Sequence, residues 1–314
     1  MKRNKRIVLL GLCIVALACA PALAGCGANT GEEEAGDTGE SKQIENTVTS
    51  ESQTIGLTGV GNARQLGGYV TTDGKKIKDG VLLRTGKLSG AVTEDIARLT
   101  ETYHLTEIID LRTTAEIKGA LDPVIAGTTA EQISIVNESS PAYLTTISYV
   151  STGDPIADAI ATAENGIFSE TMYSGLVTDT YGQKGYREFF EKLLAHEDGA
   201  FLFHCNGGKD RTGVAAVLLL SALGVDQATI MEDFALTNDF YAKDIDYLIS
   251  ETKKRTADAN TIEDVYALVG VNSSYMEKMF DSVDEKYGSM DSFLKDAIGL
   301  TDDDLTVLKD RYLE

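Results

Sequence analysis

Four short apolar runs stand out along the middle of the chain: Val81-Leu82-Leu83-Arg84, Leu105 to Leu111, Gln132 to Val136, and Phe201-Leu202-Phe203. Each is short enough and β-rich enough to read as a strand. Helical spacings lie between and after them. Ile96, Leu99 and Tyr103 share one face of a helix started by Thr93, with Glu94 and Asp95 in its first turn. Met172, Leu176 and Val177 share another, as do Phe189, Phe190, Leu193 and Leu194. Val214 to Leu223 is apolar on nearly every face, which predicts a buried helix ended by Gly224. Asp226 to Glu314 reads as a series of amphipathic helices. The pattern predicts an α/β fold: a central, mostly parallel sheet flanked by helices, with a helical C-terminal part.

Other stretches lack such periodicity. Thr113 with Glu116 spells a capping box for a short helix, which Asp122-Pro123 breaks. Residues 137–165 carry Pro141, Gly153 and Pro155 among many Ser, Thr and Ala. They read as irregular, either a lid over a site or an insert. Residues 26–54 are rich in Gly, Glu, Asp, Ser and Thr, with almost nothing to bury, and read as a disordered acidic tether. The folded domain is expected over 55–314.

The N-terminus reads as a targeting segment. Lys2, Arg3, Lys5 and Arg6 precede an apolar run from Ile7 to Ala24. Leu23-Ala24-Gly25-Cys26 resembles a bacterial lipoprotein cleavage box, so residues 1–25 are expected to be a signal peptide and Cys26 a lipidation site. That implies an extracytoplasmic protein, lipid-anchored to the cell membrane. A plain secretory signal or an uncleaved anchor helix are the alternatives. The four cysteines support a reactive thiol. Cys13 and Cys19 would be removed and Cys26 lipidated, leaving Cys205 alone, with no partner for a disulfide.

The formal net charge is -21, and -25 without the four positive charges of residues 1–25. Such a surface repels nucleic acid and anionic bilayers. His104 and His196 lack ligand neighbours at metal spacing and read as exposed; no metal site or cofactor is expected.

The chemistry concentrates in Phe201 to Gly213. An apolar strand runs into His204-Cys205-Asn206-Gly207-Gly208-Lys209-Asp210-Arg211-Thr212-Gly213, and a helix follows. A strand, a Gly-containing loop and a helix N-terminus form a phosphate cradle of backbone N–H groups and partial positive charge. A thiol at its start lies beneath a bound phosphate, where it can attack phosphorus opposite the leaving group. A guanidinium at its end can hold two phosphate oxygens at once. The bare Cys-X5-Arg spacing is weak; the residues around it make it specific.

This run resembles the signature of the bacterial protein tyrosine/serine phosphatase family. Asn62-Ala63-Arg64-Gln65-Leu66-Gly67-Gly68, Arg84-Thr85-Gly86-Lys87-Leu88-Ser89, Asp110-Leu111-Arg112 and the stretch from Tyr287 to Asp296 resemble other parts of it. The resemblance runs from about residue 55 to the end and implies a protein-tyrosine-phosphatase-like fold. It implies Cys205 as nucleophile, Arg211 as phosphate clamp and Asp210 as general acid. Asn206, Gly207, Gly208, Lys209 and Thr212 would bind substrate, with Thr212 also assisting the departing thiolate. Asp110 is a second candidate acid or a helper, weighed against a structural pair with Arg112. Arg64, Arg84 and Lys87 either line the pocket or are solvated or paired surface charges. Expected substrates are phosphotyrosine or other phosphoproteins, or else phosphoinositides or inositol phosphates, which would explain Lys209. A binding module that holds phosphorylated ligands without turnover is the reading from a different class.

Overall fold

The computed structural model describes residues 49–140, 143, 152–166 and 169–314. The expected signal peptide, Cys26 and nearly all of the tether lie outside these residues, as does part of the 137–165 stretch.

In chain order the elements that matter are α1 (Ser50–Gln53), β1 (Arg64–Gln65), β2 (Leu82–Thr85), α2 (Thr93–Ala97), β3 (Leu105–Asp110), α3 (Thr114–Gly119), β4 (Thr129–Gln132), α4 (Pro155–Glu164), α5 (Met172–Thr178), α6 (Thr180–Ala195) and β5 (Ala200–His204). There follow α7 (Arg211–Leu223), α8 (Gln227–Phe240), α9 (Ala242–Lys253), α10 (Ala259–Val269), α11 (Ser273–Tyr287), α12 (Met290–Phe293) and α13 (Asp302–Tyr312). The sheet order is β1-β2-β5-β3-β4, with only β1 antiparallel to its neighbour. The predicted α/β fold with its helical C-terminal part is what the chain forms.

β5 lies at the centre of the sheet, and every residue in it is buried. Its alternation sorts side chains to two cores. Phe201 and Phe203 join the larger one with Phe189, Phe190 and Leu193 of α6 and most of α7. Ala200 and Leu202 face a smaller one with Leu83, Leu99 and Leu105. Burial on both faces is why β5 reads as an unbroken apolar run. α7 begins directly beyond the loop after β5 and is buried almost all round, so it stands rigidly behind that loop. Gly224 ends it with φ +91, a left-handed conformation that glycine adopts without strain.

Several expectations need correction. The strand expected over 132–136 runs over Thr129–Gln132 instead. Its partner β3 stops at Asp110, opposite Gln132, so pairing cannot continue. Ile133 and Ile135 are apolar because they enter the core, not because they lie in a strand. Thr93 is the first residue of α2 rather than its cap. Asp95 supplies the acceptor, taking the N–H groups of Val92, Thr58 and Gly59. The 137–165 stretch is not wholly irregular: Asp154 caps α4, with Pro155 at its first position. Order begins before Ile55, since Thr49 caps α1 and Gln53 is buried, donating to the Gly67 carbonyl at 3.2 Å. His104 is exposed, as expected, but His196 is buried. The C-terminus covers His196: its ring stacks on Tyr312 and its Nε2 lies 3.1 Å from the Thr106 hydroxyl.

Candidate active site

The loop Cys205 to Asp210 crosses the C-terminal end of the sheet, where parallel α/β folds place their ligands. Its shape is set from below. Gly208 has φ +62, and a Cβ there would meet the Thr85 carbonyl oxygen at 2.4 Å. Only glycine lets the loop lie this close to the end of β2. Three successive loop carbonyls are drawn outward. That of Asn206 accepts from the Lys87 N–H at 3.0 Å. That of Gly207 accepts from the Tyr241 hydroxyl at 2.9 Å. That of Gly208 accepts from Asn62 Nδ2 and from Arg84 Nη2, both at 2.9 Å. Carbonyls turned to the scaffold leave the opposite, concave side to amide N–H groups, the geometry of an anion nest.

Beneath the loop lies a buried charge cluster. Asp233 of α8 accepts from Arg64 Nε at 3.0 Å, Arg84 Nη1 at 2.6 Å and the Tyr69 hydroxyl at 2.9 Å. Arg64 also donates to Asn62 Oδ1. Arg64 and Arg84 are 0% exposed, so they neither line an open pocket nor sit on the surface. They are paired, but in the core rather than at the surface: a single carboxylate from a distant helix pairs with both. Burial, and then the neighbouring Arg64 charge, bring the Arg84 guanidinium down to about 10. Two guanidiniums on one carboxylate leave a net positive charge under the loop, which favours an anion above it. Asp233 itself is held below the ordinary carboxylate range: burial opposes this, but Arg64 and Arg84 outweigh it.

Cys205 is a free thiol, 1% exposed, at the end of β5. At the other end of the loop, Arg211 is gripped by Glu116 of α3 at 2.5 and 2.7 Å. The sequence reading saw Glu116 only as half of a capping box. That box is present, with Glu116 Oε2 accepting from the Thr113 N–H at 2.9 Å. The same carboxylate therefore starts α3 and fixes the planar fork of Arg211. Burial alone would raise the Glu116 carboxyl, but Arg211 and the Thr113 donors bring it down to about 2.

Because that value is depressed, the stability Glu116 contributes is complete above its ordinary value of 4.5 and is lost as pH falls toward about 2. Glu116→Gln is expected to remove about 2–3 kcal/mol at neutral pH and to flatten this acid limb. It should also lower kcat/KM about tenfold by loosening Arg211. Denaturation between pH 2 and 7 checks the first effect and steady-state kinetics the second; an unchanged acid limb would contradict the assignment.

Asp210 precedes α7, yet its side chain makes no capping bond. Its Oδ1 accepts instead from the Tyr173 hydroxyl and from Lys209 Nζ, each at 2.9 Å. Lys209 is 3% exposed, and its ammonium also donates to the Ala267 carbonyl of α10 at 3.0 Å. The Thr212 hydroxyl is fully buried, with no hydrogen-bond partner among the described residues.

For Asp110 the structure shows the pairing with Arg112. Arg112 takes both its oxygens, Nε to Oδ1 at 2.9 Å and Nη2 to Oδ2 at 2.7 Å. The pair extends to Asp122, whose Oδ2 lies 2.5 Å from Arg112 Nη2 and 3.4 Å from His204 Nε2. Of the alternatives weighed for Asp110, the structural pairing with Arg112 is the geometry observed. Asp110, Asp122 and His204 bring three possible metal-ligand atoms within 4.8 Å of one another. Arg112 already bonds both carboxylates and offsets one of their two negative charges.

The sequence reading also missed Asp233, Tyr241 and Tyr173. Asp233 had a signal: it falls with Ile230, Phe234 and Thr237 on the buried stripe of α8. A carboxylate in such a stripe calls for a cationic partner.

Comparison with known proteins identifies the family. The sequence profile of the tyrosine phosphatase family matches residues 55–314. A provisionally named tyrosine-protein phosphatase of Cupriavidus necator is 28% identical over 269 residues, covering 81% of this chain and 86% of the relative. A tyrosine-protein phosphatase of Nostoc commune is 30% identical over 138 residues, 42% of this chain and 45% of the relative. The triple specificity protein phosphatase PtpB of Mycobacterium tuberculosis is 32% identical over 105 residues, 31% of this chain and 38% of the relative. With the family profile spanning every element that builds the loop and its supports, the chain belongs to the tyrosine phosphatase family and is a phosphoric monoester hydrolase of the protein-tyrosine-phosphatase type.

Proposed function

We propose that the chain hydrolyses phosphate monoesters of phosphotyrosine and other phosphoproteins through a phosphocysteine intermediate. The observation that carries this reading is the loop itself, with a buried thiol at one end and a guanidinium locked by Glu116 at the other. The Cys205 thiolate attacks phosphorus as the ester P–O bond breaks. Arg211 and the loop amides hold the phosphoryl oxygens as their charge grows. Asp210 gives a proton to the departing oxygen, then takes one from the water that cleaves the S–P bond. The buried Thr212 hydroxyl is suited to donate to the departing thiolate.

The alternative substrate class is a phosphoinositide or inositol phosphate. Lys209 bears on the choice. Its ammonium is engaged with Asp210 and the Ala267 carbonyl rather than extended toward a second phosphate, which favours a substrate with a single phosphate. Phosphate release with a metal chelator present tests this, using phosphotyrosine and phosphoserine peptides, phosphoinositides and inositol phosphates. Fastest release from phosphotyrosine peptide is expected. Faster release from an inositol lipid would replace it with the alternative. Tight binding without release from any substrate would turn the reading to a binding module.

We also propose, from the N-terminal residues alone, that the chain is an extracytoplasmic lipoprotein anchored through Cys26. Detergent-phase partitioning of the full chain that survived Cys26→Ser would overturn this.

A further inference from the structure

The geometry points to Tyr173 as a positioning residue for Asp210, fixing its carboxyl so that Oδ2 carries the proton delivered to the leaving oxygen. This rests on the reading of Asp210 as the general acid.

Asp210 occupies the position where an aspartate ordinarily turns its carboxylate to the first N–H groups of the following helix. It forgoes that bond. Its Oδ1 takes instead the hydrogen bonds of the Tyr173 hydroxyl and of Lys209 Nζ. Both donors are themselves held. Tyr173 is 2% exposed, and its ring meets Phe234 edge-on, with centroids 5.5 Å apart at 89°. Its helix α5 is tied to α11 by Ser174, whose hydroxyl donates to the Lys278 carbonyl at 3.1 Å and accepts from Ser282 at 2.9 Å. Lys209 is anchored on α10 through the Ala267 carbonyl.

A carboxyl that receives two donors on one oxygen binds its proton on the other, because a proton on Oδ1 would meet hydrogens already aimed there. The Asp210 side chain keeps 19% of its surface open, so the protonated oxygen can face the cleft. Tyr173 keeps its own proton throughout: burial, and then the Asp210 charge, push its hydroxyl well above the ordinary range. The step is balanced. The S–P bond forms, the P–O bond breaks, and the Oδ2 proton passes to the freed oxygen.

The test uses leaving groups of different basicity, with Tyr173→Phe and Asp210→Asn in the full chain and a chelator present. The readout is the ratio of kcat/KM for 2,4-dinitrophenyl phosphate to that for phenyl phosphate. The dinitrophenolate leaves without a proton, whereas phenolate needs one. Asp210→Asn is expected to raise the ratio by about 10²-fold or more, the usual contribution of a general acid. Tyr173→Phe is expected to raise it about tenfold, through loss on phenyl phosphate alone. A partly unfolded preparation lowers both substrates alike and leaves the ratio unmoved. An unchanged ratio in Tyr173→Phe beside a raised one in Asp210→Asn would overturn this inference and leave the acid assignment standing. An unchanged ratio in Asp210→Asn would overturn both.

Discussion

Cys205→Ser is expected to abolish phosphate release, lowering kcat by at least about 10⁴-fold, the scale on which losing a nucleophile falls. The serine hydroxyl is similar in size to the thiol but is scarcely ionised near neutral pH and leaves poorly from phosphorus. Nothing else in the cradle changes. Gly208 still lies against the Thr85 carbonyl, and Glu116 still grips Arg211. The variant should therefore bind a non-hydrolysable phosphotyrosine analogue within a few-fold of the parent. A second signature belongs with the first. Rapid acid quenching of the parent with labelled substrate should trap phosphate covalently on the chain, and Cys205→Ser should trap none. Normal turnover by the variant, or a phosphoenzyme that persists in it, would remove the thiol from the mechanism.

Asp233→Ala is expected to cost about 3–5 kcal/mol of stability, the range for breaking a buried ion pair from one side. The cost arises because one carboxylate is the shared partner of two guanidiniums, both 0% exposed. Removing it leaves two buried like charges facing each other and the Tyr69 hydroxyl without its acceptor. The denaturant midpoint should fall without a matching change in slope. Activity should fall as well, because Arg84 also holds the Gly208 carbonyl that shapes the phosphate loop. Since the folded Asp233 carboxyl lies below its ordinary range, its contribution is present above that range and lost as the pH falls from there toward the lower folded value. A loss below about 1 kcal/mol would mean that the cluster is far better hydrated than its burial indicates.

On the proposed mechanism the site has a part that reacts and a part that supports. Cys205, Asp210 and Arg211 lie along one continuous segment, the loop and the first residue of α7. The residues that shape that loop arrive from α3, α5, α8, the turn before β1, the end of β2 and the Tyr241 position between α8 and α9. The long helical C-terminal part thus has a role in the site. It supplies Asp233 and Tyr241 beneath the loop and the Ala267 carbonyl that anchors Lys209.

What the amino-acid order determined is whatever depends on near neighbours. β2, β3, β5 and α7 follow from apolar runs and periodicity, and the Gly224 stop follows from a local conformational preference. The Thr113–Glu116 capping box is settled within four residues. The candidate nucleophile and clamp are legible because the cradle is one unbroken strand-loop-helix segment. Tertiary structure decided the rest, because a charge acquires its role from a partner that folding brings near. Asp233 lies 169 positions from Arg64 and 149 from Arg84, so neither arginine could be told from a surface charge. Glu116 and Arg211 meet across 95 positions, and Tyr173 and Asp210 across 37. His196 looked exposed until the C-terminal Tyr312 closed over it, 116 positions away. Local pattern fixes backbone conformation through sterics and hydrogen bonds that act over a few residues. The pairing of buried charges is fixed only by the packing that removes water around them.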